Sequence, residues 1–151
     1  MQLAHIYLNF PGNTAEAFRY YEGVFGTRIA MLTTFGDATF LPNVPDAIKG
    51  KIMHAQLPLT ETVHLMGSDA VPGFGPPVQF GDHVHISVVA SDKSEADRVF
   101  AALGEGGQVT MPIANAPWGA YFGMCKDRFG VGWMVSLPGP AQVSQSEATA
   151  A

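Results

Sequence analysis

The order of elements in this chain is written twice, and that repetition restricts the fold more than any single motif does. Residues 3–10 alternate, with Ile6, Leu8 and Phe10 on one face and His5, Tyr7 and Asn9 on the other, the pattern of a half-buried strand. A helix follows: Asn13 and Glu16 have capping-box spacing, Ala17, Phe18, Tyr21 and Phe25 form an apolar stripe, and Gly26 ends it. Residues 28–34 read as a second strand, 35–50 as a loop, and 51–57 with 62–66 as a hairpin. A stretch dense in Gly and Pro intervenes, and the order restarts. Residues 83–89 alternate, Asp92 and Glu95 repeat the box, and Ala96, Val99, Phe100 and Leu103 repeat the stripe. His5-Ile6 matches His85-Ile86 at an offset of 80, Asn13 and Glu16 match Asp92 and Glu95 at 79, Gly26 matches Gly104 at 78, and the hairpins match at about 70. The simplest account is an α+β domain of two βαβββ modules, 1–68 and 80–138, with a linker at 69–79 and a disordered tail at 139–151.

The most tightly specified piece is the last hairpin, residues 118–136. Asp127 can hydrogen-bond back into its own turn and Gly130 can take a positive φ, while Tyr121, Phe122, Val131, Trp133 and Val135 have strand character. The same alternation places Trp133 in the core. Cys125 packs as well, because it lies in a strand with no helix N-terminus behind it.

Composition removes several function classes. Charged residues make up only 14% of the chain, the net charge is −5, and no run of Lys or Arg tracks a phosphate backbone, so nucleic acid and anionic membrane are poor partners. A single cysteine leaves no intrachain disulfide and no thiolate zinc knuckle. Without a leader-like or membrane-spanning stretch, the reading is a cytoplasmic protein.

The paired βαβββ order resembles the vicinal oxygen chelate superfamily, which includes glyoxalase I, extradiol dioxygenases, fosfomycin resistance proteins and bleomycin-binding proteins. Gly12-Asn13 with Glu16-Ala17, Tyr20-Tyr21 and Phe25-Gly26, then Ile52-Met53-His54-Ala55, His85-Ile86-Ser87 and Asp127-Arg128-Phe129-Gly130-Val131-Gly132-Trp133, are similar to its PhnB-like branch. The resemblance spans about residues 2–137. It implies curved mixed sheets around a cleft (the glyoxalase/bleomycin resistance/dioxygenase fold), a homodimer, and a small organic molecule as partner. Members of the branch have been labelled ubiquinone-pathway methyltransferases. That label is set aside here, since no strand leads into a Gly-rich turn suited to a nucleotide-like cofactor.

The superfamily's enzymes take metal ligands from the first and last strands of each module, which correspond here to His5, His64, His85 and Met134. Strand parity sends the same four toward the cleft. Three imidazoles would suit zinc, nickel or ferrous iron and would imply a metal-assisted isomerase, lyase or dioxygenase. The acidic ligand of those enzymes is replaced by His64 and Met134, however, and a thioether is a poor ligand for a hard ion. The alternative is a binding or sequestering protein of the bleomycin-resistance type, its ligand-binding wall made of Tyr7, Trp118, Tyr121, Phe122 and Met134. His54 pairs with Met124 across the repeat and reads as a hydrogen-bonded structural histidine, and His83 as solvated.

Overall fold

The computed structural model describes residues 3–139 and divides into two compact units, Met1–Gln79 and Phe80–Ala151. In the first, β1 (Ile6–Phe10), α1 (Thr14–Phe25), β2 (Met31–Thr34), the single-turn α2 (Asp46–Lys49), β3 (Ile52–Pro58) and β4 (His64–Asp69) form a four-stranded sheet of order β1-β4-β3-β2. In the second, β5 (Ile86–Val89), α3 (Lys93–Gly104), β6 (Gln108–Asn115), β7 (Tyr121–Lys126) and β8 (Gly132–Leu137) form a sheet of order β5-β8-β7-β6. The first and last strands of each unit pair in parallel; the other pairings are antiparallel. All but Gly139 of the expected tail lies outside the described residues, and among those described no helix is long and apolar enough to cross a membrane.

Each sheet buries one face under its helix. In the first unit Phe10, Ala55, Leu57 and Leu65 meet Ala17, Phe18, Tyr21 and Val24; Val24 takes the place expected for Phe25, which is only half-buried. In the second unit Cys125, Trp133 and Val135 lie under Ala96, Val99, Phe100 and Leu103, the stripe expected from spacing. Burial pushes the Cys125 thiol up to about 11, with the nearby Asp127 carboxylate adding to the effect, so it is a packed thiol and not a nucleophile. Close packing is met by glycine in both sheets. A Cβ on Gly67 would lie 2.9 Å from the Phe18 ring, and one on Gly123 would lie 2.8 Å from the Phe100 ring.

Two carboxylates hold the units' loops. Asp69, at the end of β4, accepts from the Thr14 N–H (2.9 Å), the Thr14 hydroxyl (2.6 Å) and the Ile52 N–H (2.7 Å). It therefore caps α1 from 55 residues away, and Asn13, expected to do so, makes no side-chain capping bond. At α3 the cap is local, as its spacing suggests: Asp92 accepts from the Glu95 N–H, and the Glu95 carboxylate reaches back to the Ser91 N–H and hydroxyl. Gly104, aligned with Gly26 by the repeat, belongs to the last turn of α3, and the positive φ that Gly26 shows falls at Gly106. In the last turn, Asp127 accepts from the Phe129 N–H, the Val131 N–H and Trp133 Nε1–H, and Gly130 has φ 87°.

Candidate functional site on the open sheet faces

The faces turned away from the helices carry the residues that chemistry would use, and their register is set by the strand pairing. Leu57↔Leu65 in one hairpin and Cys125↔Trp133 in the other occupy the same place, so the hairpins correspond at an offset of 68, not about 70. The backbone agrees, since Leu59 N–H donates to Val63 O as Asp127 N–H donates to Val131 O, both at 2.9 Å. Parity survives this two-residue correction but partners change. His64 corresponds to Gly132, Met66 to Met134, Gln56 to Met124, and His54 to Phe122.

The rows of the first sheet can then be read in order. His5 precedes β1 and lies beside His64, their rings stacked with centroids 4.9 Å apart and planes inclined by 26°. The His64 backbone N–H donates to His5 Nδ1 at 3.2 Å, and the Gln56 side-chain amide donates to His64 Nδ1. The next row is Tyr7, Met66, Gln56 and Met31. Tyr7 is 48% exposed, and its ring lies 5.8 Å from that of His54, with its hydroxyl 3.4 Å from His54 Nδ1. The third row contains Asn9 and Ser68, whose hydroxyl donates to Asn9 Oδ1. Beyond it the face ends in a cavity of about 340 Å³, floored by Asn9 and Ser68 and walled by Phe74, Pro76, Pro77 and Gln79. Phe74 is braced by Phe35, itself buried with Ile48 and Val71 in a satellite cluster. Val71, within the expected linker, is therefore part of the packing.

The second sheet repeats the middle row as Ser87, Met134, Met124 and Met111. Its first row differs: His85 stands where His5 does, but Gly132 replaces His64, and the His85 ring fills the space, with Cδ2 2.7 Å from where a Cβ would be. Gly132→Ala should therefore displace the His85 ring and lower stability by about 1–2 kcal/mol, seen as shifted His85 ring resonances and a lower urea midpoint. Trp118 precedes β7, 56% exposed, and meets Phe122 edge-on at 5.7 Å on the open face. Tyr121 does not join them. It lies on the helix face, donating to Asp97 Oδ1 at 2.6 Å with Lys93 Nζ 4.4 Å above its ring. Val84, expected on the covered face, is 65% exposed because β5 begins only at Ile86.

Among the described residues no group of three or more His, Cys, Asp or Glu is arranged to hold a metal ion. Sequence reasoning missed Gln56, although its position two residues from His54 on one strand face would have found it. It also missed the methionine rows, for which the signal was a correct register.

The order β1-β4-β3-β2, with α1 on one face and the repeat of both in the second unit, is the glyoxalase/bleomycin resistance fold. Within it, the chain belongs to the family described as 3-demethylubiquinone-9 3-methyltransferase, whose model matches residues 2–136. It is 40% identical to PA1353 of Pseudomonas aeruginosa, covering 91% of this chain and 98% of that one with a TM-score of 0.80. Protein YjdN of Escherichia coli is 26% identical over 87% of this chain and 92% of its own length. The PhnB protein of Bacillus cereus, at 24% identity and 89% and 98% coverage, shares the fold with a TM-score of 0.71.

Proposed function

We propose that this protein binds a small, flat organic molecule on the open face of its sheet, without a metal ion. The observation that carries this reading is the placement of methionine. Of seven methionines, five (Met31, Met66, Met111, Met124 and Met134) lie in the two equivalent middle rows. Unbranched, polarizable thioethers adapt to a ligand's outline and pack well against aromatic rings, which suits a binder of planar molecules. Tyr7 in the first unit and Trp118 with Phe122 in the second add aromatic surface beside these rows. The cavity beyond Asn9 and Ser68 offers volume in the range of small-molecule sites.

A metal-assisted isomerase, lyase or dioxygenase is less well supported. The first unit brings together only two imidazoles, and among the described residues no third His, Cys, Asp or Glu joins them in a group arranged to hold an ion. Methyl transfer, named in the family's description, would need a place for a nucleotide-like cofactor. The N-terminus of α1 is filled by the protein's own Asp69, and the Gly12 carbonyl before it accepts from Lys51 Nζ at 3.1 Å. The homodimer reading draws support from β6, an edge strand of eight residues, all exposed but Ile113.

The test is a fragment screen on metal-stripped full-length protein followed by calorimetric titration. Flat aromatic fragments should bind without metal, and Tyr7→Ala and Met66→Ala should weaken them roughly tenfold or more, whereas Cys125→Ser, on the covered face, should not. Binding that appears only after reloading with zinc, nickel or ferrous iron would contradict the reading.

A further inference from the structure

We infer that His5 and His64 act as a pair of hydrogen-bond donors, offering two Nε2–H groups to an oxygen acceptor on the bound molecule, such as a carboxylate. This rests on the proposed small-molecule reading and adds the chemical class of the ligand. Among the described residues both imidazoles are held through Nδ1, and each time an N–H donor faces it: the His64 backbone N–H for His5 and the Gln56 side-chain Nε2–H for His64. A neutral imidazole that accepts at Nδ1 carries its hydrogen on Nε2. Both rings are thereby fixed in the Nε2–H tautomer, and the stacking at 4.9 Å with planes only 26° apart sets them side by side.

A metal-ligating histidine has the opposite wiring: its second nitrogen donates to a carbonyl or carboxylate, leaving a lone pair for the ion. Here a lone pair at Nε2 would bring Nδ1–H against another N–H. The pair is thus built to receive an acceptor and not an ion. The adjacent row of Tyr7, Met66 and Met31 supplies the surface on which an attached ring would lie. The ligand is then a flat molecule ending in an oxygen acceptor, and an otherwise identical molecule ending in an ammonium is rejected, since it would set donor against donor.

The tautomers are readable directly. Long-range ¹⁵N–¹H spectra of the full-length protein, recorded at alkaline pH, should give the Nε2–H pattern for His5 and His64, assigned with His5→Ala and His64→Ala. Gln56→Glu replaces a donor by an acceptor and should switch His64 to the Nδ1–H pattern. In titrations, 2-naphthoate should bind at least roughly tenfold more tightly than 2-naphthylmethylamine, and His64→Ala should remove that preference. Nδ1–H patterns in the parent protein would overturn the inference whatever binds. Expected tautomers with equal affinity for the two probes would overturn the donor role while leaving small-molecule binding intact; failure of both probes and of every flat fragment would sink the binding proposal itself.

Discussion

Asp69→Ala is expected to cost about 4 kcal/mol of folding stability, because a buried group that satisfies three donors is removed and nothing replaces it. The Thr14 N–H loses its partner at the first turn of α1, the Thr14 hydroxyl loses its acceptor in a fully buried position, and the Ile52 N–H is orphaned at the start of β3. Each bond to a carboxylate contributes about 1.5–3 kcal/mol, and because the three losses share one group they fall short of their sum, which puts the figure just below three times the lower value. Asp69→Asn is the informative companion. It keeps one acceptor oxygen but turns an NH₂ toward either Thr14 or Ile52, so it should still cost about 2 kcal/mol. Urea denaturation measures both; a loss below about 1 kcal/mol for the alanine variant would show that water replaces the carboxylate and that the account of the α1 cap is wrong.

The equivalent expectation in the second unit is a loss of about 4 kcal/mol for Asp127→Ala. Its carboxylate ties the turn to the core, accepting from the Phe129 and Val131 N–H groups at 2.8 and 3.0 Å and from Trp133 Nε1–H at 2.8 Å, with Trp133 itself fully buried. Trp133→Phe keeps most of the ring volume and removes only the indole donor, so it should cost about 1–2 kcal/mol. In a double-mutant cycle the two changes should couple by at least about 1 kcal/mol. Simple additivity would mean that the indole bond is not a stabilising link.

These two carboxylates also show what a sequence can and cannot reveal. Asp127 was legible because its partners lie two, four and six residues on, within one turn and the strand it starts. Asp69 was read into a linker because its partners stand 55 and 17 residues back, and no local pattern records such a bond. The same distinction runs through the site. Alternation is local, so the open-face positions of His5, Tyr7, His64 and Met134 could be read from Ile6, Leu8, Val63, Leu65, Trp133 and Val135. Register is not local. The turns at 59–63 and 127–131 share a backbone bond but have only the final valine in common, so residue type was allowed to align His64 with Met134 when pairing aligns it with Gly132. Tyr121 was misplaced for a related reason: an aromatic at the start of a strand suits either face, and the Asp97 and Lys93 side chains that hold it on the helix face come from α3.

The expectation of a metal site at His5, His64 and His85 came from the superfamily's ligand positions and from strand parity, while what an imidazole can do depends also on the group at its other nitrogen. Gln56 is that group for His64, and its amide makes the ring a donor at Nε2.

The proposed organic ligand lies across the row of Tyr7, Met66, Gln56 and Met31 on the open face of the first sheet. The most direct measurement is a spectrum of the full-length, metal-stripped protein carrying ¹³C-labelled methionine methyl groups, recorded while a flat aromatic carboxylate is added. The account predicts that Met31 and Met66, with Tyr7 between them and the histidine pair, shift together and saturably, while Met53, packed against the Phe35, Ile48 and Val71 cluster, stays in place. Methionine signals that stay unmoved until zinc, nickel or ferrous iron is supplied would contradict it.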